Sequence, residues 1–279
     1  MFETLIFYYK TYPVITYSTV VLALVSLCAA LLGVSLVLKR FSMIGDGLSH
    51  VAFGAMAVAT VAGFAPIYAA LPITVISAIL LLRIRSSSKV QGDAAIAMIA
   101  VGALAIGYLL LNLFPENTTS ISGDACTTLF GSASIIGIKL SDVIICSALA
   151  VAVIFVFVFF YNKIFAVTFD ESFAQATGTR VEVYNTMLAA ITGVVIVIAM
   201  NMVGALLISA LITFPALSSM RVFKTFKRVV ISSSVISVGC ALVGTVISIL
   251  ASTPVGPTIA VANIIIFIAF SLAGMIKIR

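Results

Sequence analysis

Charged side chains are scarce in this sequence. Only 9% of its 279 residues are Asp, Glu, Lys or Arg, whereas 63% are hydrophobic and the mean hydropathy is +1.31. A water-soluble domain carries roughly a quarter charged residues, so this composition excludes an ordinary soluble protein. The sequence therefore predicts an all-α, polytopic membrane protein whose apolar segments cross the bilayer as helices.

Three other features are missing. The four cysteines form no C-x-x-C pair, which indicates neither a disulfide framework nor a cysteine metal cluster. No G-x-x-x-x-G-K-[ST] phosphate loop occurs, so any ATP hydrolysis that this protein depends on is expected in a separate chain. The longest non-apolar stretch, residues 162–185, is too short to bury a core. Residues 1–279 are therefore predicted to form a single transmembrane domain, with no soluble domain.

Nine apolar segments are candidates for membrane spans, since a bilayer core about 30 Å thick requires about 20 apolar residues per helix. The sixth and seventh share only the stretch NMVG, residues 201–204, as a break, which predicts a tight hairpin or a partly broken pair and a total of eight or nine spans. The segments lie at residues 14–38, 46–63, 65–82, 93–114, 140–161, 186–200, 203–220, 229–251 and 258–276.

Basic residues lie at the ends of apolar runs and on alternate loops, apart from Lys10 and Lys139. Cytoplasmic loops carry the excess of Lys and Arg, so we predict a multi-pass protein of the cell membrane with its N-terminus outside and its C-terminus in the cytoplasm. These positions suit lipid headgroups, so the net charge of +6 does not require a nucleic-acid partner, and none is expected. The positive side carries Lys39, Arg40, Arg83, Arg85, Lys89, Lys163, Arg180, residues 221–228, Lys277 and Arg279.

Asp46 and His50, the only histidine, lie at the start of the second segment in the stretch MIGDGLSHVAFGA. Four residues advance an α-helix by about 400°, so the two side chains share one face. In one interpretation Asp46 caps the helix and His50 bonds to it or to a backbone carbonyl. In the other the pair binds zinc, manganese or iron, for which imidazole and carboxylate are suitable ligands. Two ligands are too few for tight binding, so a metal site implies a two-fold homodimer.

Three stretches resemble a known family. GDGLSHVAFGA at residues 45–55, VGALLISALITFPALSS at 203–219 and TPVGPTIAVANIIIF at 253–267 are similar to segments in the permease subunits of bacterial metal-ion ABC importers of the ABC-3 type. LFGSAS and FDESFAQATG match in order between the first two. The resemblance covers nearly the whole chain. One departure is SHVAFGA in place of the family's frequent SHAVLPG, which removes a proline.

The resemblance implies a function and partners. Such a permease moves a divalent transition-metal ion from an extracytoplasmic metal-binding protein to the cytoplasm, as two identical copies above two cytoplasmic ATPase subunits. Asp46 and His50 match the family's metal-contacting residues. The ion is cargo, so no permanently bound cofactor is implied. The wording of VGALLISAL and TPVGPTI is closer to zinc permeases than to manganese permeases, which favours zinc and keeps manganese and iron as other candidates.

The stretch FDESFAQATG is a candidate ATPase-docking element in such a permease. Its four-residue spacing predicts that Asp170, Ala174 and Gly178 form one helical face, whose small residues would let a partner approach closely. The alternative is an ordinary amphipathic loop helix.

A second docking candidate is SSMRVFKTFKR, residues 218–228, which follows the seventh span. A run of positive charge beside a membrane usually anchors the protein to lipid. Phe223 and Phe226 favour a partner pocket as well, because aromatic residues dominate interface energetics, and Arg221 lies beside them. Pro215, inside the seventh span, is predicted to kink that helix.

Two other functions fit part of the pattern. A proton-coupled secondary metal-ion carrier would use Asp46 and His50 without an ATPase, but the sequence has no clear internal repeat of the kind such carriers show. An intramembrane aspartyl protease needs glycine three residues before its catalytic aspartate, where this chain has Met43. It also needs a second catalytic aspartate within a span, and the sequence offers none. The importer is therefore the main prediction, and the carrier is its alternative.

Overall fold

The structure, a computed structural model, describes residues 11–87, 92–114 and 137–278. Every regular element in these ranges is a helix, and no strand occurs there. Lys10, Lys89, Arg279 and the LFGSAS stretch at 129–134, which carry parts of the orientation and family predictions, lie outside the described residues. The helices are α1 (Pro13–Leu38), α2 (Ile44–Val61), α3 (Pro66–Ser87), α4 (Gly92–Leu113), α5 (Leu140–Phe159), α6 (Tyr161–Phe169), α7 (Glu171–Ala176), α8 (Val181–Val203), α9 (Ala205–Val222), α10 (Phe226–Ala251) and α11 (Val255–Ile278).

Over the described ranges, nine helices are long and apolar enough to cross a membrane, namely all except α6 and α7. This confirms the prediction of an all-α polytopic membrane protein and favours nine spans over eight. The bounds differ most at α8, which begins at Val181 rather than at residue 186. Its first turn contains Glu182, whose charge interacts favourably with the positive end of the helix dipole, so the helix extends beyond its apolar run.

A single residue separates α8 from α9. Gly204 has φ +90° and ψ 154°, a backbone conformation that residues with a side chain rarely adopt. α9 packs mainly against α11 and α1 and has less contact with α8. The two helices therefore form a broken pair rather than a tightly packed hairpin.

The most buried span is the least apolar one. The mean hydropathy of α2 is 1.3 and 78% of its span is buried, whereas the mean hydropathy of α5 is 2.8 and 22% is buried. Lipid is as apolar as leucine, so strongly hydrophobic helices can face lipid while the interior takes small and polar residues. Neighbouring helices α3, α4 and α9 pack around α2. The helix that carries Asp46 and His50 is therefore held on several sides.

Glycines bring α2 close to α4. A Cβ atom on Gly47 would lie 2.4 Å from Cγ2 of Ile96, and a Cβ atom on Gly54 would lie 2.6 Å from the carbonyl oxygen of Ala103. Small residues at such contacts are the usual way for membrane helices to pack closely. Because the neighbour of Gly54 is main chain, it has little freedom to move aside. The position of α2 against α4 is thus defined by backbone contact.

Candidate metal site

Asp46 and His50 lie in the first two turns of α2. Met43 is the N-cap residue of this helix, and no side chain makes a capping hydrogen bond there. Asp46 is inside the first turn, where its charge interacts with the helix dipole. The interpretation of Asp46 as the helix cap is therefore wrong.

The two side chains approach each other along one face. Nε2 of His50 lies 3.5 Å from Oδ2 of Asp46, longer than an ordinary hydrogen bond of about 2.7–3.2 Å. Two ligand atoms about 2.1 Å from a zinc ion at the tetrahedral angle are roughly 3.4 Å apart. The spacing therefore suits an ion held between Nε2 and Oδ2 without rearrangement of the helix.

This pair lies on the open face of α2. Gly45 and Gly47 lie about 100° to either side of Asp46, and they contact α9 and α4 respectively. The Asp46 side chain is 43% exposed and the His50 side chain 17%. Of the other residues of α2 that are not buried, Val61 lies about 60° from Asp46 around the helix axis, whereas Val58 lies about 120° away, beyond the direction of Gly47. Asp46 thus points outwards, between α9 and α4.

The ligand set of one chain is incomplete. Nδ1 of His50 is buried and has no hydrogen-bond partner among the described residues. In the same part of the chain, no group of three or more His, Cys, Asp or Glu side chains is arranged to hold a metal ion. Structural metal sites of the zinc type have about four ligands. A single copy therefore supplies two ligands on an open face, which is half of such a set.

The structure separates the three residues predicted to form one docking face. Asp170 is the N-cap residue of α7, and its carboxylate accepts a hydrogen bond from the Phe173 N–H at 2.9 Å. Ala174 is fully buried, and Gly178 lies beyond the end of the helix with φ +80°. The prediction of a single helical face is therefore wrong, because α7 ends at Ala176, before the third residue.

The second docking stretch is also only partly open. Arg221 is exposed in the last turn of α9, and Phe223 is half-buried just after it. Phe226 is 6% exposed, and its ring packs against an aromatic cluster of Tyr161, Phe165 and Phe169 with centroid separations of 5.4–5.9 Å. The prediction of Phe226 as an open anchor is therefore wrong within this chain, because α6 covers the ring.

Phe173 is the exposed aromatic residue that the sequence patterns did not single out. It lies on α7 and is 63% exposed. An apolar ring between Ser172 and Ala174 in a polar stretch was the available signal. Four-residue spacing drew attention to the small residues instead. Phe169, at the start of the same stretch, is 57% exposed but its ring packs edge-on against Phe226, so Phe173 is the more open of the two exposed rings and the better candidate for an interface anchor.

Pro215 lies within α9, which continues from Ala205 to Val222 without a break. The two nearby hydroxyl groups, of Ser209 and Thr213, donate hydrogen bonds to different segments. Ser209 donates to the Ala205 carbonyl at 3.1 Å, whereas Thr213 donates to the Ser42 carbonyl at 3.3 Å, in the turn before α2. A kink at Pro215 stays a prediction.

Residues 11–274 of the chain match the family model described as the ABC 3 transport family. The chain belongs to the ABC 3 transport family. The match spans all three motifs that carried the resemblance, at residues 45–55, 203–219 and 253–267, and confirms it.

Two relatives and one solved structure are similar to this ABC 3 family member over most of its length. The manganese import system permease protein ScaB of Streptococcus gordonii is 26% identical over 88% of this chain and 85% of its own. The high-affinity zinc uptake system membrane protein ZnuB of Haemophilus influenzae is 26% identical over 87% and 91%. The structure of PsaBC from Streptococcus pneumoniae in complex with Fab gives a TM-score of 0.83 at 23% identity, covering 97% of this chain and 95% of that chain. This likeness shows a shared fold.

Proposed function

We propose that this ABC 3 family member is the membrane-spanning permease subunit of an ATP-driven importer, which moves a divalent transition-metal ion into the cytoplasm past Asp46 and His50. The observation that carries the proposal is the 3.5 Å separation of an imidazole nitrogen and a carboxylate oxygen on the open face of α2. Names of relatives, a manganese permease and a zinc uptake protein, support this class of cargo. Residues 1–279 form one transmembrane permease domain, and no cofactor is bound permanently.

The transporting unit is a homodimer. One chain offers two ligands on a face that its own helices leave open, whereas a transition-metal ion takes about four. A second copy related by a two-fold axis brings its own Asp46 and His50 to the same place. Few strong ligands from each chain also suit transport, because an ion that binds too tightly is not released.

Zinc is the first ion to test. Imidazole with carboxylate suits zinc and manganese alike, so the ligands do not separate the two. The wording of the segments at 203–211 and 253–259 favours zinc, and a relative of each kind is similar to this chain to the same extent. Manganese is therefore the direct comparison, and iron is the third candidate.

The energy comes from two ATPase subunits on the cytoplasmic side. The excess of Lys and Arg on alternate loops supports an N-terminus outside and a C-terminus inside, which places α6 and α7 in the cytoplasm. We assign the docking surface to the exposed residues there, Asp170 and Phe173 of α7 with Arg221 and the half-buried Phe223 after α9. An extracytoplasmic metal-binding protein delivers the ion to the opposite side.

A proton-coupled secondary carrier is the alternative function, since Asp46 and His50 would suit it as well. Membership of an ABC transport family weighs against this alternative. The two functions differ in one requirement: the importer moves metal only with its ATPase and ATP, whereas the carrier moves metal alone down a proton gradient.

The test is metal uptake by proteoliposomes that contain the chain, its ATPase and its binding protein. We expect ATP-dependent uptake of zinc, measured in parallel with manganese. His50→Ala should lower uptake per assembled complex by about tenfold or more, since even an outer-shell partner of a metal ligand is worth roughly 10- to 100-fold. Thr60→Ala is the matched control, because Thr60 lies on the same helix and its hydroxyl donates to the Met56 carbonyl of that helix at 2.8 Å.

The outcomes separate the functions. Near-normal uptake per assembled His50→Ala complex contradicts a transit role for His50. Uptake by the chain alone under a proton gradient, without ATP, identifies the carrier instead.

A further inference from the structure

A buried cation lies at the end of α1. Lys39, the C-cap residue of this helix, is 4% exposed. Its Nζ lies 2.9 Å from Oε1 of Glu171 and also donates a hydrogen bond to Oδ1 of Asn185. Asn185 in turn donates to the same Glu171 oxygen at 3.2 Å. Because a desolvated ammonium group must stay paired, separating Lys39 from this carboxylate is costly.

This cluster joins three elements that are distant in the sequence. Glu171 is the first residue of α7, Asn185 lies in α8, and Lys39 ends α1. A cavity of about 760 Å³ lies between α7 with the start of α8 on one side and the end of α1 with α3 on the other. Lys39 and Glu171 both line it, while α7 packs mainly on α6 and α8. The ion pair therefore connects α7 to α1 across the cavity.

The turn from α1 to α2, residues 39–43, is short and internally bonded. The Phe41 N–H donates to the Leu36 carbonyl at 2.9 Å and the Arg40 N–H to the Val37 carbonyl at 3.0 Å. These are the two hydrogen bonds of a Schellman motif, with Arg40 at φ +61° in the position that usually holds glycine. A displacement of the end of α1 is therefore passed directly to the start of α2, which carries the metal site.

We propose that Lys39 is a positioning residue that couples α7 to α2, an inference that rests on the proposed function of α7 as an ATPase-docking element. When the ATPase moves α7, the buried ammonium of Lys39 follows the Glu171 carboxylate, because breaking a buried ion pair is strongly unfavourable. The turn then moves with Lys39 and displaces Asp46 and His50. The ion pair is thus a fixed link, through which ATPase binding at α7 and metal binding at α2 favour the same arrangement of the helices.

The test is the number of metal ions taken up per ATP hydrolysed by the reconstituted complex, with zinc as the probe. Lys39→Met should lower this ratio by about fivefold or more, the low end of typical coupling between sites, while the ATPase subunits stay bound. Lys39→Arg, which keeps the cation, should retain most of the ratio. Lys163→Met is the matched control: Lys163 donates to Thr179 at 3.2 Å and so joins α6 to the segment after α7 rather than α7 to α1.

Glu171→Gln keeps the inference testable if Lys39→Met does not assemble, because Glu171 is 49% exposed and its replacement leaves the packing intact. It should lower the ratio in the same direction. A wild-type ratio in either variant overturns the coupling role, as does a loss that is fully explained by lost ATPase binding. Absence of metal uptake by the wild-type complex overturns the proposed function itself, and the coupling role with it.

Discussion

Two pairs of ionisable side chains in this apolar chain have contrasting surroundings. Asp46 and His50 lie one turn apart on α2, their nearest atoms are 3.5 Å apart, and Asp46 is 43% exposed. Lys39 and Glu171 are 132 residues apart in the sequence, their nearest atoms are 2.9 Å apart, and the Lys39 side chain is 3% exposed. The first pair is close in sequence, widely spaced and partly exposed. The second pair is distant in sequence, closely spaced and buried at the lysine.

The difference matches the role proposed for each pair. A transit site must accept an ion and release it, so its ligands cannot be satisfied by one another. A pair that transmits motion must stay together, and burial of the ammonium makes separation costly. The two pairs are thus distinguished by their exposure and by their sequence separation.

The largest expected effect compares a buried phenylalanine, Phe226, with an exposed one, Phe173. Phe226→Ala removes a closed contact within the aromatic cluster and should lower the free energy of unfolding by about 3–5 kcal/mol. Phe173→Ala removes an open side chain, so it should leave stability unchanged and weaken ATPase binding about 30-fold, as the loss of an interface anchor worth about 2 kcal/mol does. Thermal unfolding in detergent and binding of purified ATPase to vesicles measure the two quantities.

The orientation of the vesicles is the control for the ATPase-binding measurement on the two phenylalanine variants. ATPase should bind to inside-out vesicles and not to right-side-out vesicles, since α7 is assigned to the cytoplasmic side. Equal loss of stability in both variants would remove the distinction between the closed and the open ring.

The next effect concerns the open pair, Asp46 and His50. Asp46→Asn removes the charge that offsets desolvation of the metal ion and should lower uptake by about tenfold or more. Stability should change by less than about 0.5 kcal/mol, because the side chain is partly exposed and pairs loosely. Asp142→Asn is the matched control, since this first-turn acid of α5 accepts a hydrogen bond from the Lys139 N–H at 2.9 Å. Equal loss of uptake in both variants would show a general effect of acid removal.

The smallest expected effect concerns the face of α2 that packs against α4. Gly54→Ala would place a Cβ atom 2.6 Å from the Ala103 carbonyl oxygen, so α2 and α4 must separate, at a cost of at least about 1 kcal/mol. Gly102→Ala on α4 meets nothing within 4 Å and should be neutral or slightly stabilising, because alanine favours helix over glycine. Unfolding temperatures of the two variants give the comparison. An unchanged Gly54→Ala protein would show that the contact between the two helices is loose.

Several features follow from local chemistry and were predictable from the residues alone. The spans were predictable because crossing lipid requires about 20 apolar residues, and the nine helices that meet this criterion in the described ranges match the nine segments. Asp46 and His50 share a face because each helical residue turns the chain by about 100°. Both rules depend on neighbours in the sequence, so they hold whatever the remaining chain does.

Other features depend on contacts between distant segments. The burial of Phe226 beneath α6 and the pairing of Lys39 with Glu171 have no signature in the sequence. In a membrane, faces turned to lipid and faces turned to other helices are both apolar, so hydropathy does not say which face is which. Close packing of specific helices makes that assignment, and with it determines that Asp46 points out of the chain while Lys39 is enclosed.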